Sequence, residues 1–153
     1  MAKRVLFVCL GNICRSPLAE AIFNHQSKLS GFEFYSDSCG TANYHVGDSP
    51  DTRTIQVAQK NGVFIEHLGR QLSIEDIDRY DLILTMDSSN YRNTLKVFSR
   101  ESESKVKMLR DFDPQGRGDV PDPYYGTMRD FDEVFMILDR SIREVIRSLK
   151  DQE

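Results

Sequence analysis

One stretch limits the folds open to this chain more than any other: Arg4-Val5-Leu6-Phe7-Val8-Cys9-Leu10-Gly11-Asn12-Ile13-Cys14-Arg15-Ser16-Pro17. Val5 to Val8 is an apolar run of β-branched and aromatic residues, the length of one buried strand of a parallel sheet. Cys9 stands where that strand ends. Gly11 and Asn12 can supply unusual backbone angles, and Ser16-Pro17 reads as the N-cap and first position of a helix. The unit is therefore strand, tight loop, helix, with a thiol at the loop's start and a guanidinium at its end. Loop amides curled before a helix N-terminus make an anion site, because several N–H groups and the helix dipole converge on one space. A thiol in that field is favoured as thiolate. The planar fork of Arg15 suits two oxygens of a phosphate.

The remaining chain alternates helix and strand. A helix from Ser16 to about Leu29 shows an apolar face in Leu18, Ala19, Ile22 and Phe23, and Gly31 stops it. Phe32 to Ser38 reads as a second strand. A helix from about Asp51 to Lys60 is closed by Asn61-Gly62, and a short one opens near Ser73 and ends near Arg79. Asp81 to Met86 is a third strand, followed by a helix capped at Asp87 and running toward Phe98. Val106 to Leu109 is a fourth strand. Asp111 to Gly126 is dense in Asp, Pro and Gly and reads as a long surface loop, a kind of segment that often carries function. The last helix has the clearest period, through Phe131, Val134, Phe135, Leu138, Ile142, Val145 and Leu149. The expectation is an α/β fold: a four-stranded parallel sheet with helices on both faces and a phosphate-binding loop after the first strand. Ligands in such sheets bind outside the carboxyl ends of the strands, where Cys9, Cys39 and Asp87 fall.

Residues 1–153 are of a length for one domain that needs no disulfides or metals. A net charge of −4 argues against nucleic acid or an anionic membrane surface as partner. An anionic substrate must then be drawn by the first loop itself. The apolar run near Met1 is too short for a signal sequence and is interrupted by Asn12 and Arg15. Three cysteines, an odd number in a chain that needs no staples, fit a reducing compartment, so the chain is read as cytoplasmic. His25, His45 and His67 are scattered without metal-ligand spacing, and no dinucleotide or Walker-type glycine motif occurs, so neither metal nor cofactor is expected.

Cys9, five intervening residues and Arg15 make the C-x5-R arrangement of cysteine-dependent phosphatases. Together with the full string Cys9 to Pro17 and the later Asp122-Pro123-Tyr124-Tyr125, the chain resembles the low-molecular-weight protein tyrosine phosphatase family nearly end to end. The resemblance implies hydrolysis of phosphotyrosine and aryl phosphates through a cysteinyl-phosphate intermediate. Cys9 is then the nucleophile and Arg15 the phosphate clamp. A leaving-group acid is also required, and Asp111, Asp113, Asp119 and Asp122 are equal candidates on sequence. The resemblance selects Asp122, which would protonate the leaving oxygen and later activate water. Leu10, Gly11, Asn12, Ile13, Cys14 and Ser16 would surround the phosphate. Tyr44, Tyr124 and Tyr125 would wall the pocket, the last two also matching tyrosines that kinases can modify.

The family pattern further has Asn12 braced against Ser38 and His67, and Ser16 donating to the Cys9 sulfur. It places Asp87 near Arg15. Cys14 is either a small buried packer or, as the family supports, the thiol that resolves an oxidised Cys9. The implied partners are tyrosine-phosphorylated proteins, with a cognate tyrosine kinase among them in bacterial members. Two other functions are compatible with the first loop. A thioredoxin-coupled arsenate reductase shares it, but relays electrons through further cysteines, and residues 82 to 110 contain none. A non-catalytic phosphotyrosine-binding module would have no use for a leaving-group acid.

Overall fold

The computed structural model describes residues 3–98 and 104–152. Strand β1 (Lys3–Cys9) pairs in parallel with β2 (Phe34–Gly40) on one side and β3 (Leu82–Thr85) on the other. β4 (Val106–Met108) extends the sheet beyond β3, giving the order β2-β1-β3-β4. With a neighbour on each side and layers above and below, β1 has to be apolar on both faces. Val5, Phe7 and Cys9 enter one core, with residues of α1 (Arg15–Ser30), α2 (Thr52–Lys60) and α5 (Met128–Asp151). Leu6 and Val8 enter the other, with Ile83, Val106 and residues around α3 (Asp76–Arg79) and α4 (Ser88–Val97). Each fully buried side chain of this kind stabilises by about 1.5–3 kcal/mol. Four in succession, Val5 to Val8 at 0 % exposure, therefore fix the end of β1 more firmly than the loop's own hydrogen bonds could.

The chain steps from β1 to β2 in one direction and then crosses back to β3 in the other. That reversal opens a crevice at the carboxyl ends of β1 and β3, the place where open parallel sheets bind ligands. Cys9 and Asp87 stand on its two sides. The expected four-stranded parallel α/β architecture is the one observed.

Local boundaries differ from the sequence reading, each for a physical reason. α1 begins at Arg15 with Cys14 at the N-cap position, so Ser16 lies inside the first turn and does not cap it. Its hydroxyl is engaged by Asn12 and by the Cys9 sulfur instead. β2 runs two residues later than Phe32 to Ser38, because the Gly31 and Phe32 N–H groups close α1 on the Lys28 and Ser27 carbonyls. The helix expected from Ser73 starts only at Asp76, whose carboxylate instead accepts the Ser73 N–H at 2.9 Å. β4 ends at Met108 because Leu109–Phe112 tightens into a 3-10 turn.

Gly40 ends β2 where the chain passes directly under the first loop. A Cβ there would lie 2.6 Å from the Leu10 carbonyl oxygen and 3.2 Å from the Asn12 nitrogen. Gly40→Ala is therefore expected to lower unfolding stability by about 1–3 kcal/mol in chemical denaturation. Phosphate affinity should fall with it, because the atoms displaced belong to the loop.

Candidate active site

Asn12 adopts a left-handed backbone conformation, φ 57°, as its place in a tight loop suggests. Gly11 does not. It is small for a different reason, since a Cβ there would come within 3.1 Å of the His45 ring. The loop's carbonyls are turned outward: Cys9 O accepts from Thr41 N–H at 2.9 Å, Leu10 O from Ala42 at 3.0 Å and Ile13 O from Asp51 at 2.8 Å. Among the described residues, the N–H groups of Gly11, Ile13 and Cys14 donate to no backbone carbonyl. Free amides ahead of the α1 N-terminus form the expected anion cradle.

Cys9 Sγ accepts from the Asn12 N–H at 3.3 Å and lies 2.9 Å from Ser16 Oγ. That hydroxyl already accepts from Asn12 Nδ2 at 2.8 Å, which leaves its hydrogen for the sulfur, nearer than the Cys39 carbonyl at 3.4 Å. Two donors thus converge on one sulfur. The Asn12 side chain in turn spans the loop's support, with Nδ2 3.0 Å from Ser38 Oγ and Oδ1 2.7 Å from His67 Nε2.

Arg15 is buried, and its Nη1 is committed to Asp87 Oδ2 at 2.7 Å and Val120 O at 3.0 Å. Burial opposes its charge, but the Cys9 sulfur, Asp87 and Asp122 outweigh that and hold the guanidinium protonated. No hydrogen bond among the described residues engages Nε or Nη2, so that edge of the fork is left for two oxygens of a ligand. Burial first, then Asp51 and Cys9, push the Cys14 thiol up to about 12. Cys14 therefore stays protonated.

A cavity of about 300 Å³ opens over this arrangement. Cys9, Leu10, Gly11, Ile13, Cys14 and Arg15 form its floor. Tyr44 and His45 form one wall, and Asp122, Tyr124 and Tyr125 the other. Asn12 and Ser16, expected around the phosphate, do not line the cavity, because both side chains are spent bracing the loop and the sulfur from beneath. The structure also separates the four candidate acids. Asp111 accepts the Met108 N–H at 3.1 Å and Asp119 the Ser88 N–H at 2.9 Å. Asp113 is clasped by Arg110 and Arg140. Burial alone would raise its carboxyl, but hydrogen bonds from Arg140, the Gln115 N–H and Arg110 hold it near about 2. Asp122 alone lines the cavity, half exposed, its Oδ2 3.7 Å from Arg15 Nη2.

The match with known proteins follows these features. The sequence model of the low molecular weight phosphotyrosine protein phosphatases matches residues 4–153. This chain belongs to that family. The phosphatase of that name in Schizosaccharomyces pombe is 45% identical over 139 residues, covering 88% of this chain and 89% of the relative. A solved protein tyrosine phosphatase from Entamoeba histolytica superposes with a TM-score of 0.96 at 33% identity, covering 99% of each chain. YfkJ from Bacillus subtilis superposes with a TM-score of 0.94 at 34% identity, over 100% of this chain and 98% of that one. As a member of this family the chain is an enzyme, a phosphoric monoester hydrolase.

Two residues escaped the sequence reading. His45 faces the floor at Gly11 and bonds Asp48 through Nδ1 at 3.0 Å; only its position beside Tyr44 hinted at the cavity. Arg53 pairs with the α2 cap Asp51 and donates to Tyr124 O at 2.8 Å and Gly126 O at 3.1 Å. It lies over the Phe131 ring at 4.5 Å, tying the Asp122 segment to the rest of the site. No motif marks this role, since the carbonyls it holds lie more than 70 residues away.

Arg53→Ala is expected to leave the fold intact and to lower phosphatase kcat about ten-fold, with less effect on phosphate inhibition, because it loosens Asp122 and not the cradle. Asp113→Asn should cost about 2 kcal/mol of stability at neutral pH. The folded carboxyl titrates below its unfolded value, so that contribution is complete above about pH 4. It is lost as pH falls toward about 2, which pH-dependent denaturation of the two proteins will show.

Proposed function

We propose that this phosphatase hydrolyses phosphotyrosine in proteins, and aryl phosphates generally, through a cysteinyl-phosphate on Cys9. The carrying observation is that the Cys9 sulfur, the free edge of Arg15 and the Asp122 carboxyl share one cavity, with two donors already on the sulfur. Phosphate oxygens lie against the loop N–H groups and the Nε/Nη2 edge of Arg15. The sulfur attacks phosphorus as the P–O bond to the aryl group breaks, and Asp122 delivers its proton to the departing oxygen. Asp122, now a carboxylate, removes a proton from water as that water attacks phosphorus. The S–P bond breaks, and the thiolate returns to the Ser16 hydroxyl and Asn12 N–H. Charge on the transferring group is met by donors already in place, so little reorganisation is needed.

Tyr44 and Tyr124 give the cavity aromatic walls suited to a phenyl ring. Tyrosine-phosphorylated proteins are the corresponding partners, a cognate tyrosine kinase among them. Residues 1–153 act as one catalytic domain in the cytoplasm, where reducing conditions keep Cys9 competent. No helix among the described residues is long and apolar enough to cross a membrane. Cys14, the neutral thiol of the same loop, resolves an oxidised Cys9 as a disulfide. The arsenate-reductase reading lacks its relay cysteines, and a binding module leaves Asp122 in the cavity mouth without a task.

Hydrolysis of p-nitrophenyl phosphate and of phenyl phosphate, in reductant and chelator, tests this reading. Cys9→Ser should abolish turnover while retaining phosphate binding. Asp122→Ala should lose about 100-fold or more on phenyl phosphate, and much less on the better leaving group. Turnover by Cys9→Ser at the wild-type rate would refute the thiolate mechanism.

A further inference from the structure

We propose that Arg110 is a positioning residue for phosphate binding, fixing the loop carbonyl that orients Arg15. This role rests on the reading of Arg15 as the phosphate clamp.

The two acceptors of Arg15 Nη1 are held in different ways. Asp87 directly follows β3 and caps α4, its Oδ1 accepting the Asn90 N–H at 2.7 Å. The Val120 carbonyl, 3.0 Å from Nη1, belongs to residues 113–127, which form neither helix nor strand. A carbonyl in an irregular segment can orient a guanidinium only if that segment is itself fixed.

Arg110 supplies the fixing. It lies in the turn just before the segment and spreads its fork along it. Nε donates to Asp113 Oδ2 at 2.8 Å, Nη2 to Gly116 O at 3.0 Å and Nη1 to Asp119 O at 3.1 Å. The peptide joining Asp119 to Val120 is thus pinned at both ends. Arg110 holds its oxygen, and its N–H donates to Met86 O at 2.7 Å. The next carbonyl along the chain is the one that Arg15 uses. A planar fork with fixed donor directions suits this task, since one group sets three acceptors at once.

The loop's own sequence makes room for the fork. Gly118 has φ 150°, a conformation that other residues rarely adopt. A Cβ there would lie 3.2 Å from Arg110 Nη1. Two arginines therefore divide the long loop. Arg53 holds its far end, at the Tyr124 and Gly126 carbonyls beyond the acid, and Arg110 holds its near end, behind the clamp.

Without Arg110, Arg15 keeps Asp87 but its second acceptor is no longer fixed, so its Nε/Nη2 edge points over a wider range. Arg15 holds phosphate in the ground state and in the transition state. Affinity and turnover should therefore fall together, whatever the leaving group.

Calorimetric titration of inorganic phosphate into Cys9→Ser protein, alone and with a second substitution, tests this. Arg110→Met should weaken phosphate binding about five-fold. Arg110→Lys should weaken it nearly as much, because a point charge held by Asp113 cannot also reach both carbonyls. Val145→Ala, in the buried stripe of α5, lowers stability but removes no hydrogen bond of the loop, and should leave the affinity unchanged. Gly118→Ala displaces the fork without removing it and should weaken phosphate likewise, a readout independent of either Arg110 variant folding. With Cys9 present, Arg110→Met should lower kcat by a similar factor on p-nitrophenyl phosphate and on phenyl phosphate. Unchanged phosphate affinity in folded Arg110→Met, or an equal loss in Val145→Ala, would overturn the proposal. A larger rate loss on phenyl phosphate would show Arg110 acting through Asp122 and would overturn it as well. Undiminished phosphate affinity in Arg15→Lys would instead overturn the clamp reading itself, and this role with it.

Discussion

The Asn12 side chain, fixed in a left-handed turn, is the contact on which the rest of the site depends. One amide orders four groups at once: the Ser16 hydroxyl through Nδ2, the Ser38 hydroxyl through the same nitrogen, and His67 and the Arg70 N–H through Oδ1. Accepting from Asn12 is what turns the Ser16 hydrogen toward Cys9. The left-handed turn is also what brings the Asn12 N–H round to the sulfur while the neighbouring carbonyls face outward. Aspartate could not supply the Nδ2 donor, and alanine could supply neither half of the network.

The second constraint is the division of labour on Arg15. A buried guanidinium needs acceptors, and Asp87 and the Val120 carbonyl supply them to Nη1. Asp87 comes from the end of β3 and Val120 from the long loop, so the clamp is positioned by the crevice between β1 and β3. The orientation that satisfies one edge of the fork presents the other to the cavity. The same economy governs the Asp-rich loop, where Asp111, Asp113 and Asp119 hold backbone or arginines and Asp122 faces the ligand space.

Much of this was legible in the residues. The continuous apolar run of β1 reflects a strand buried on both faces, and the steps of three and four in α5 reflect one buried stripe. Gly31 and Asp87 cap helices as their chemistry dictates. Local reading failed where a side chain had a better distant partner. Ser16 has the composition of an N-cap but meets the sulfur and Asn12; Phe32 has the composition of a strand but its N–H closes a helix. Arg53 and His45 were hard to read as site residues because their contacts with the Tyr124 and Gly126 carbonyls and with Gly11 are made only by the fold.

The sequence by itself determined the strand–loop–helix unit, the thiol and guanidinium at its ends, and the parallel α/β class. Those depend on residue type and short-range spacing, which the linear order preserves. Only the tertiary structure decided which aspartate reaches the cavity, which edge of Arg15 is free, and that Arg110 holds the loop behind it. Those depend on how far apart in space residues from separate elements come to rest, and packing of both faces of the sheet sets that distance.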